Sequence, residues 1–149
     1  MSGIFAICGK NKMSASLVYY ALFALQHRGQ YGCGIAMNDN GYIDYRKDLG
    51  YVDDVFDKDL LSRMQGDLGT IDNSQKSPLR FDLDPVVMGS SKGTFAVAYD
   101  GSILNKKELI EKYTYLREDM TPSELLGTLM VHSEAEDLIA AIKESLLTI

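Results

Sequence analysis

Ser2 is the residue of this 149-residue chain best placed to do chemistry. A small second residue normally permits removal of Met1, and Ser2 would then carry a hydroxyl and a free α-amine on one residue. The amine, with an ordinary pKa of about 7.7–8.0, can serve as base for its own side chain, as N-terminal nucleophiles do. The plainer alternative is an ordinary first strand, Gly3-Ile4-Phe5-Ala6-Ile7-Cys8-Gly9, with Ser2 as its linker. Two other polar stretches lie where a site can form: Gln26-His27-Arg28-Gly29-Gln30 behind a helical segment, and the turn Asp100-Gly101 behind a strand. His27 reads as a polar residue after a helix C-terminus and His132 as a surface residue. Asp53, Asp54 and Asp57 read as a solvated capping cluster. Cys8 and Cys33 have no C-x-x-C spacing and only two histidines accompany them, so no metal is expected. No cofactor is expected either.

The elements that must position these residues follow from composition and periodicity. At 46% hydrophobic the chain can bury one core, and one domain over residues 1–149 is the natural reading. A net charge of −6 and pI near 4.8 argue against a sequence-blind nucleic-acid binder. No apolar run is long enough to span a bilayer, and no signal peptide is visible, so no membrane partner is expected. Two cysteines within strand-like apolar sequence fit buried free thiols in a reducing cytoplasm.

Residues 15–26 have helical apolar spacing with Ser14 as N-cap, and Gly29 is expected to take a left-handed C-cap conformation. Residues 31–37 predict a strand whose small residues admit another backbone. Asn38-Asp39-Asn40-Gly41 predicts a hairpin turn into Tyr42–Arg46. Residues 50–56 read as a connection and 57–64 as a short helix capped by Asp57. Gly66-Asp67-Leu68-Gly69 reads as a break and residues 69–85 as an irregular loop. Strands are expected at 86–88 and 94–99, then helices at 103–113 with Asn105 as N-cap, from Pro122 to about Val131, and at 135–147. Thr121-Pro122-Ser123-Glu124 carries the N-terminal helix signature of a cap, a first-turn proline and an acid.

With those residues assembled, the chain resembles the class II glutamine amidotransferase domain, most of all the glutaminase domain of amidophosphoribosyltransferase. The shared stretches include Gly3-Ile4-Phe5-Ala6-Ile7, Tyr20-Ala21-Leu22-Phe23-Ala24-Leu25-Gln26-His27-Arg28-Gly29-Gln30, Gly34-Ile35-Ala36, Leu49-Gly50-Tyr51-Val52, Gly66-Asp67-Leu68 and Asp100-Gly101-Ser102-Ile103-Leu104-Asn105. The resemblance implies an α+β fold of the N-terminal-nucleophile hydrolase kind, an αββα sandwich of antiparallel sheets. It also implies a C-terminally shortened domain, because an apolar strand like Gly-Ala-Tyr-Ser-Leu follows in the family.

The same comparison removes most of the catalytic set. The family nucleophile is a cysteine where this chain has Ser2. Its oxyanion-hole His-Asn-Gly is Tyr99-Asp100-Gly101 here. Its arginine-bearing Gly-His-Val-Arg segment is represented by Thr70-Ile71-Asp72-Asn73-Ser74, and its Ser-Asp-Thr-Glu by Thr121-Pro122-Ser123-Glu124. Arg28, Gly29 and Gly101 match. Ser2, Asp100 and Gly101 therefore occupy catalytic positions, and Arg28 and Gly29 substrate-side positions. The expectation is a catalytically inactive binding or assembly module that binds an amino acid or other small molecule. An N-terminal serine amidohydrolase using Ser2, and a regulatory subunit like the amidotransferase portion of glutamate synthase, are the alternatives. An open apolar sheet edge would invite a second copy or a partner subunit.

Overall fold

The computed structural model describes residues 2–72 and 83–149, and for residues 10–14, 65 and 67–72 the backbone alone. The chain runs β1 (Ile4–Ser14), α1 (Ala15–Ala24), a 3₁₀ turn (Gln26–Arg28), β2 (Gly32–Asp39), β3 (Tyr42–Leu49), α2 (Val52–Val55), α3 (Lys58–Arg63), β4 (Gln65–Asp72), β5 (Val86–Ser90), β6 (Gly93–Val97), α4 (Lys106–Lys112), α5 (Pro122–His132) and α6 (Leu138–Thr148). Two antiparallel sheets result, one ordered β1-β4-β2-β3 and the other the β5-β6 hairpin.

Side-chain alternation along β2 sets the layers. Cys33, Ile35 and Met37 pack with Ala15, Val18 and Leu22 of α1. The opposite face carries Gly32, Gly34 and Ala36, and the segment Leu83–Pro85 lies against it. A Cβ on Gly34 would collide with the carbonyl oxygen of Asp84 and come within 2.7 Å of Pro85 Cδ. The expected close backbone approach at this strand is therefore real. On the far side of the hairpin, Phe95 and Val97 of β6 pack with Leu126 and Met130 of α5. Helix, sheet, sheet and helix layers follow one another, as the αββα expectation required.

Several local expectations hold. Asn40 and Gly41 both have positive φ, 54° and 89°, and Asn38 Oδ1 accepts the Gly41 N–H at 2.8 Å, which is the chemistry of a two-residue hairpin. Asp57 caps α3 by accepting from Leu60 N–H at 2.7 Å. Thr121 and Glu124 form a reciprocal capping box at the start of α5.

Others need correction. Residues 65–72 are not a break and loop but β4, the strand between β1 and β2. Backbone pairing on both sides supplies its hydrogen bonds, so tertiary context overrides a poor strand composition; residues 73–82 of the expected loop lie outside the described residues. Residues 52–55 form a short helix, not a plain connection. Gly29 is extended, with φ −165°, because the chain leaves the 3₁₀ turn directly toward β2. Asn105 sits at the N-cap of α4 without a capping side-chain bond, its Nδ2 donating instead to the Thr148 carbonyl at 2.8 Å. The α6 helix begins at Leu138, capped by Asp137, which accepts the Ala140 N–H at 2.8 Å. The Ser14 side chain lies outside the described residues.

The two thiols part company. Cys33 is buried as expected, but Cys8 is exposed, because β1 is an edge strand and its side chain lies on the uncovered face. Burial, then the carboxylates of Asp48, Asp54 and Asp53, push the Cys33 thiol up to about 12 from 9.0. With the folded value above the unfolded one, the protonated thiol's contribution is present below about pH 9 and is lost as pH rises toward 12. At pH 8, a thiol titration of the folded protein should count one fast thiol, Cys8. Cys33 should react only on denaturation, and two fast thiols would contradict its burial.

Candidate functional site

The start of β1, the end of α1 and the segment after β6 converge. Ser2 is buried, with 8% of its surface exposed. Its N–H donates to Asp100 Oδ1 at 3.3 Å, a contact between residues nearly a hundred positions apart. Its carbonyl accepts from Arg28 Nε at 2.8 Å. Arg28 thus spends a guanidinium donor on the backbone of the nucleophile position, and its side chain lies against Gly3, where a Cβ would stand 3.4 Å from Arg28 Cδ. Three of the five residues singled out from sequence, Ser2, Arg28 and Asp100, are in direct hydrogen-bond contact.

Gly29 is tied in indirectly. Gln26 Nε2 donates to the Gly29 carbonyl at 2.7 Å, and Gln26 Oε1 accepts the Val52 N–H at 2.8 Å. This amide clamps the Arg28–Gly29 turn to the start of α2. Gly101 lies under the ring of Tyr99, which a Cβ would approach to 2.9 Å. His27, by contrast, is exposed and its Nδ1 meets the Ala24 carbonyl at 3.0 Å, a helix-end role. His132 is exposed too, but it has a partner: its ring stacks on Tyr115 with centroids 4.0 Å apart.

One buried carboxylate next to this site was not found from sequence. Asp84 Oδ2 accepts the Tyr99 N–H at 3.1 Å and the Ser123 hydroxyl at 2.7 Å. It ties the oxyanion-position segment to the first turn of α5. Lys47 Nζ fixes the flanking backbone by donating to the Leu83 carbonyl at 2.6 Å and the Pro85 carbonyl at 3.1 Å. The only sequence signal was an acid next to a proline inside a polar stretch.

Chemically, the cluster holds a hydroxyl-bearing residue, a carboxylate at its nitrogen and a guanidinium at its carbonyl. Amidophosphoribosyltransferase of Methanocaldococcus jannaschii is 35% identical over 98% of this chain and 33% of its own length. The solved structure of glutamine phosphoribosylpyrophosphate amidotransferase from B. subtilis superposes on 99% of the chain with a TM-score of 0.83 at 28% identity, using 33% of that chain. The chain is homologous to the glutaminase domain of amidophosphoribosyltransferases. The fold is accordingly the N-terminal-nucleophile type. The Synechococcus elongatus amidophosphoribosyltransferase is 31% identical over 90% of this glutaminase-like chain and 28% of its own length. A second solved structure, the allosteric regulatory enzyme of purine biosynthesis, gives a TM-score of 0.82 at 27% identity. No family model matches the chain. The chain spans about a third of the length of these relatives. No helix among the described residues is long and apolar enough to cross a membrane.

Proposed function

We propose that this glutaminase-like chain is a catalytically inactive binding or assembly module working in the reducing cytoplasm. The observation that carries the reading is the Asp100 carboxylate 3.3 Å from the Ser2 nitrogen. Where an oxyanion site offers an amide donor, this chain offers negative charge, and loss of one such donor alone typically costs about 10²–10³ in rate. If Met1 is removed, the same carboxylate faces the α-ammonium and favours its protonated form, which withdraws the base that Ser2 would need. A hydroxyl is also a weaker nucleophile than a thiol at neutral pH. At the family's anchoring positions the sequence reads Thr70-Ile71-Asp72-Asn73-Ser74 and Thr121-Pro122-Ser123-Glu124, without the arginine and the aspartate of those motifs, so free glutamine would lose both anchors. A ligand such as an amino acid or similar small molecule would meet this chain at Arg28 and the Gly29 turn, the substrate-side positions that it keeps.

The test is ammonia release from glutamine by the purified chain beside a Ser2→Cys variant, with Met1 removal verified by intact mass. Both should be silent. Glutamine turnover by the cysteine variant would mean that the pocket retains its anchors, and the chain would then be a glutaminase lacking only its thiol.

A further inference from the structure

A cavity of about 290 Å³ opens where the connection after α4, the end of α5 and the last turns of α6 meet. It shares no residue with the Ser2–Arg28–Asp100 cluster. Aromatic rings and carboxylates line it together. Tyr113 and Tyr115 lie with ring centroids 5.4 Å apart, and Tyr115 stacks on His132 at 4.0 Å. Glu134 and Glu144 supply negative charge, and among the described residues no lysine or arginine lines the space. Burial first, then Tyr113 and Glu144, hold the Tyr115 phenol above its ordinary range. Glu144 acts there through its negative potential, which a bound cation would offset.

Ser145 is the second observation. It lines the same cavity and is only 2% exposed, yet among the described residues its hydroxyl has no hydrogen-bond partner. Leaving such a group unpaired is costly. Its neighbours are already committed. The Ser133 hydroxyl donates to Glu144 Oε2, and the Thr148 hydroxyl donates to the Glu144 carbonyl at 2.8 Å. Ser145 therefore offers its hydroxyl to whatever enters the cavity.

Two lysines flank the space without lining it. Lys92 Nζ donates to the Ser133 carbonyl at 2.7 Å, and Lys112 Nζ lies 4.9 Å from the Tyr113 ring centroid, where the ring already attracts an ammonium. Among the described residues no three His, Cys, Asp or Glu side chains are placed to hold a metal ion, which favours an organic cation over a bare one. The volume stands at the small end of the range for ligand cavities.

We propose that this cavity binds a small aliphatic amine in its ammonium form. Glu144 and Glu134 counter its charge, the Ser145 hydroxyl accepts one ammonium N–H, and the tyrosine rings line its methylene chain. An ammonium has N–H donors and no acceptor, which matches carboxylates and a hydroxyl oxygen. A guanidinium prefers a planar fork of partners, and a quaternary ammonium has no N–H to give Ser145. The inference concerns the helical layer and does not rest on the chemistry at Ser2, so it and the glutamine assay can fail separately.

Isothermal titration calorimetry of the whole chain with the diamine putrescine, in about 150 mM salt, tests it. Binding should saturate with a Kd of about 0.1–1 mM. A Glu134→Gln/Glu144→Gln double variant should weaken it at least about tenfold, and Ser145→Ala about three- to tenfold. Asp59→Asn, exposed in α3 and outside the cavity, should leave it within about twofold. Without amine, Ser145→Ala should unfold at the same or a higher urea concentration than wild type, which separates lost affinity from lost fold. If the double variant loses its cooperative unfolding transition, Glu144→Gln alone takes its place and should weaken binding at least about threefold. The neutral diol of the same length should not bind, and magnesium chloride at equal ionic strength should not displace the amine. No saturation below about 10 mM, a Kd unchanged by the glutamine or alanine variants, or displacement by magnesium overturns the proposal. So does tetramethylammonium binding as tightly as putrescine, which would leave Ser145 without a role.

Discussion

Replacing Asp100 by Asn in a Ser2→Cys chain is expected to speed acylation of residue 2 by p-nitrophenyl acetate about 10- to 100-fold. The ester needs none of glutamine's charged anchors, so the comparison isolates the reacting centre. Asp100 Oδ1 lies 3.3 Å from the residue 2 nitrogen, and an acyl oxyanion formed on the same residue develops a few ångströms away. Two unit charges about 4 Å apart interact by about 1 kcal/mol in bulk water and about 4 kcal/mol near a protein surface. Asp100 is exposed, which screens the repulsion and places the expected gain between these limits. The amide also restores a donor, and it frees the α-amine from its anionic neighbour. The experiment requires a Cys8→Ser background, because Cys8 is itself exposed, and it requires Met1 to be removed. Equal acylation rates for the two variants would show that the carboxylate does not set the electrostatics of this site, and inactivity would then follow from the lost anchors alone.

Gly34→Ala should cost the fold about 3 kcal/mol or more, at the upper end of overpacking penalties. Its Cβ would meet the Asp84 carbonyl oxygen and stand 2.7 Å from Pro85 Cδ. Neither contact is the far end of a flexible side chain. The backbone at Asp84 is held by Lys47 donating to the carbonyls on both sides of it and by the Asp84 carboxylate bonded to Tyr99 and Ser123. Relief therefore requires moving β2 away from that segment, or moving the segment that supports Tyr99-Asp100. Gly89→Ala in β5 is the control, since a Cβ there meets nothing within 4 Å; it should leave stability within about 0.5 kcal/mol. Urea unfolding midpoints compare the two directly. A Gly34→Ala midpoint equal to wild type would mean that residues 83–85 do not seat on this strand.

The sequence by itself determined the elements whose signals are local. The Asn40-Gly41 turn, the Asp57 and Thr121 caps and the small-residue face of β2 are consequences of backbone conformations and hydrogen bonds within a few residues, and each is legible from residue type. Family likeness also assigns Ser2, Arg28 and Asp100 to one site. Tertiary structure alone decided the rest. β4 is poor strand sequence made a strand by partners on both sides, which no window of residues 65–72 reveals. Cys8 is exposed and Cys33 buried because one lies in an edge strand and the other between a sheet and α1, although both sit in similar apolar runs. Asp84 joins Tyr99 and Ser123 across 15 and 39 positions of chain. Such features belong to contacts between distant segments, and composition and periodicity report only on near ones.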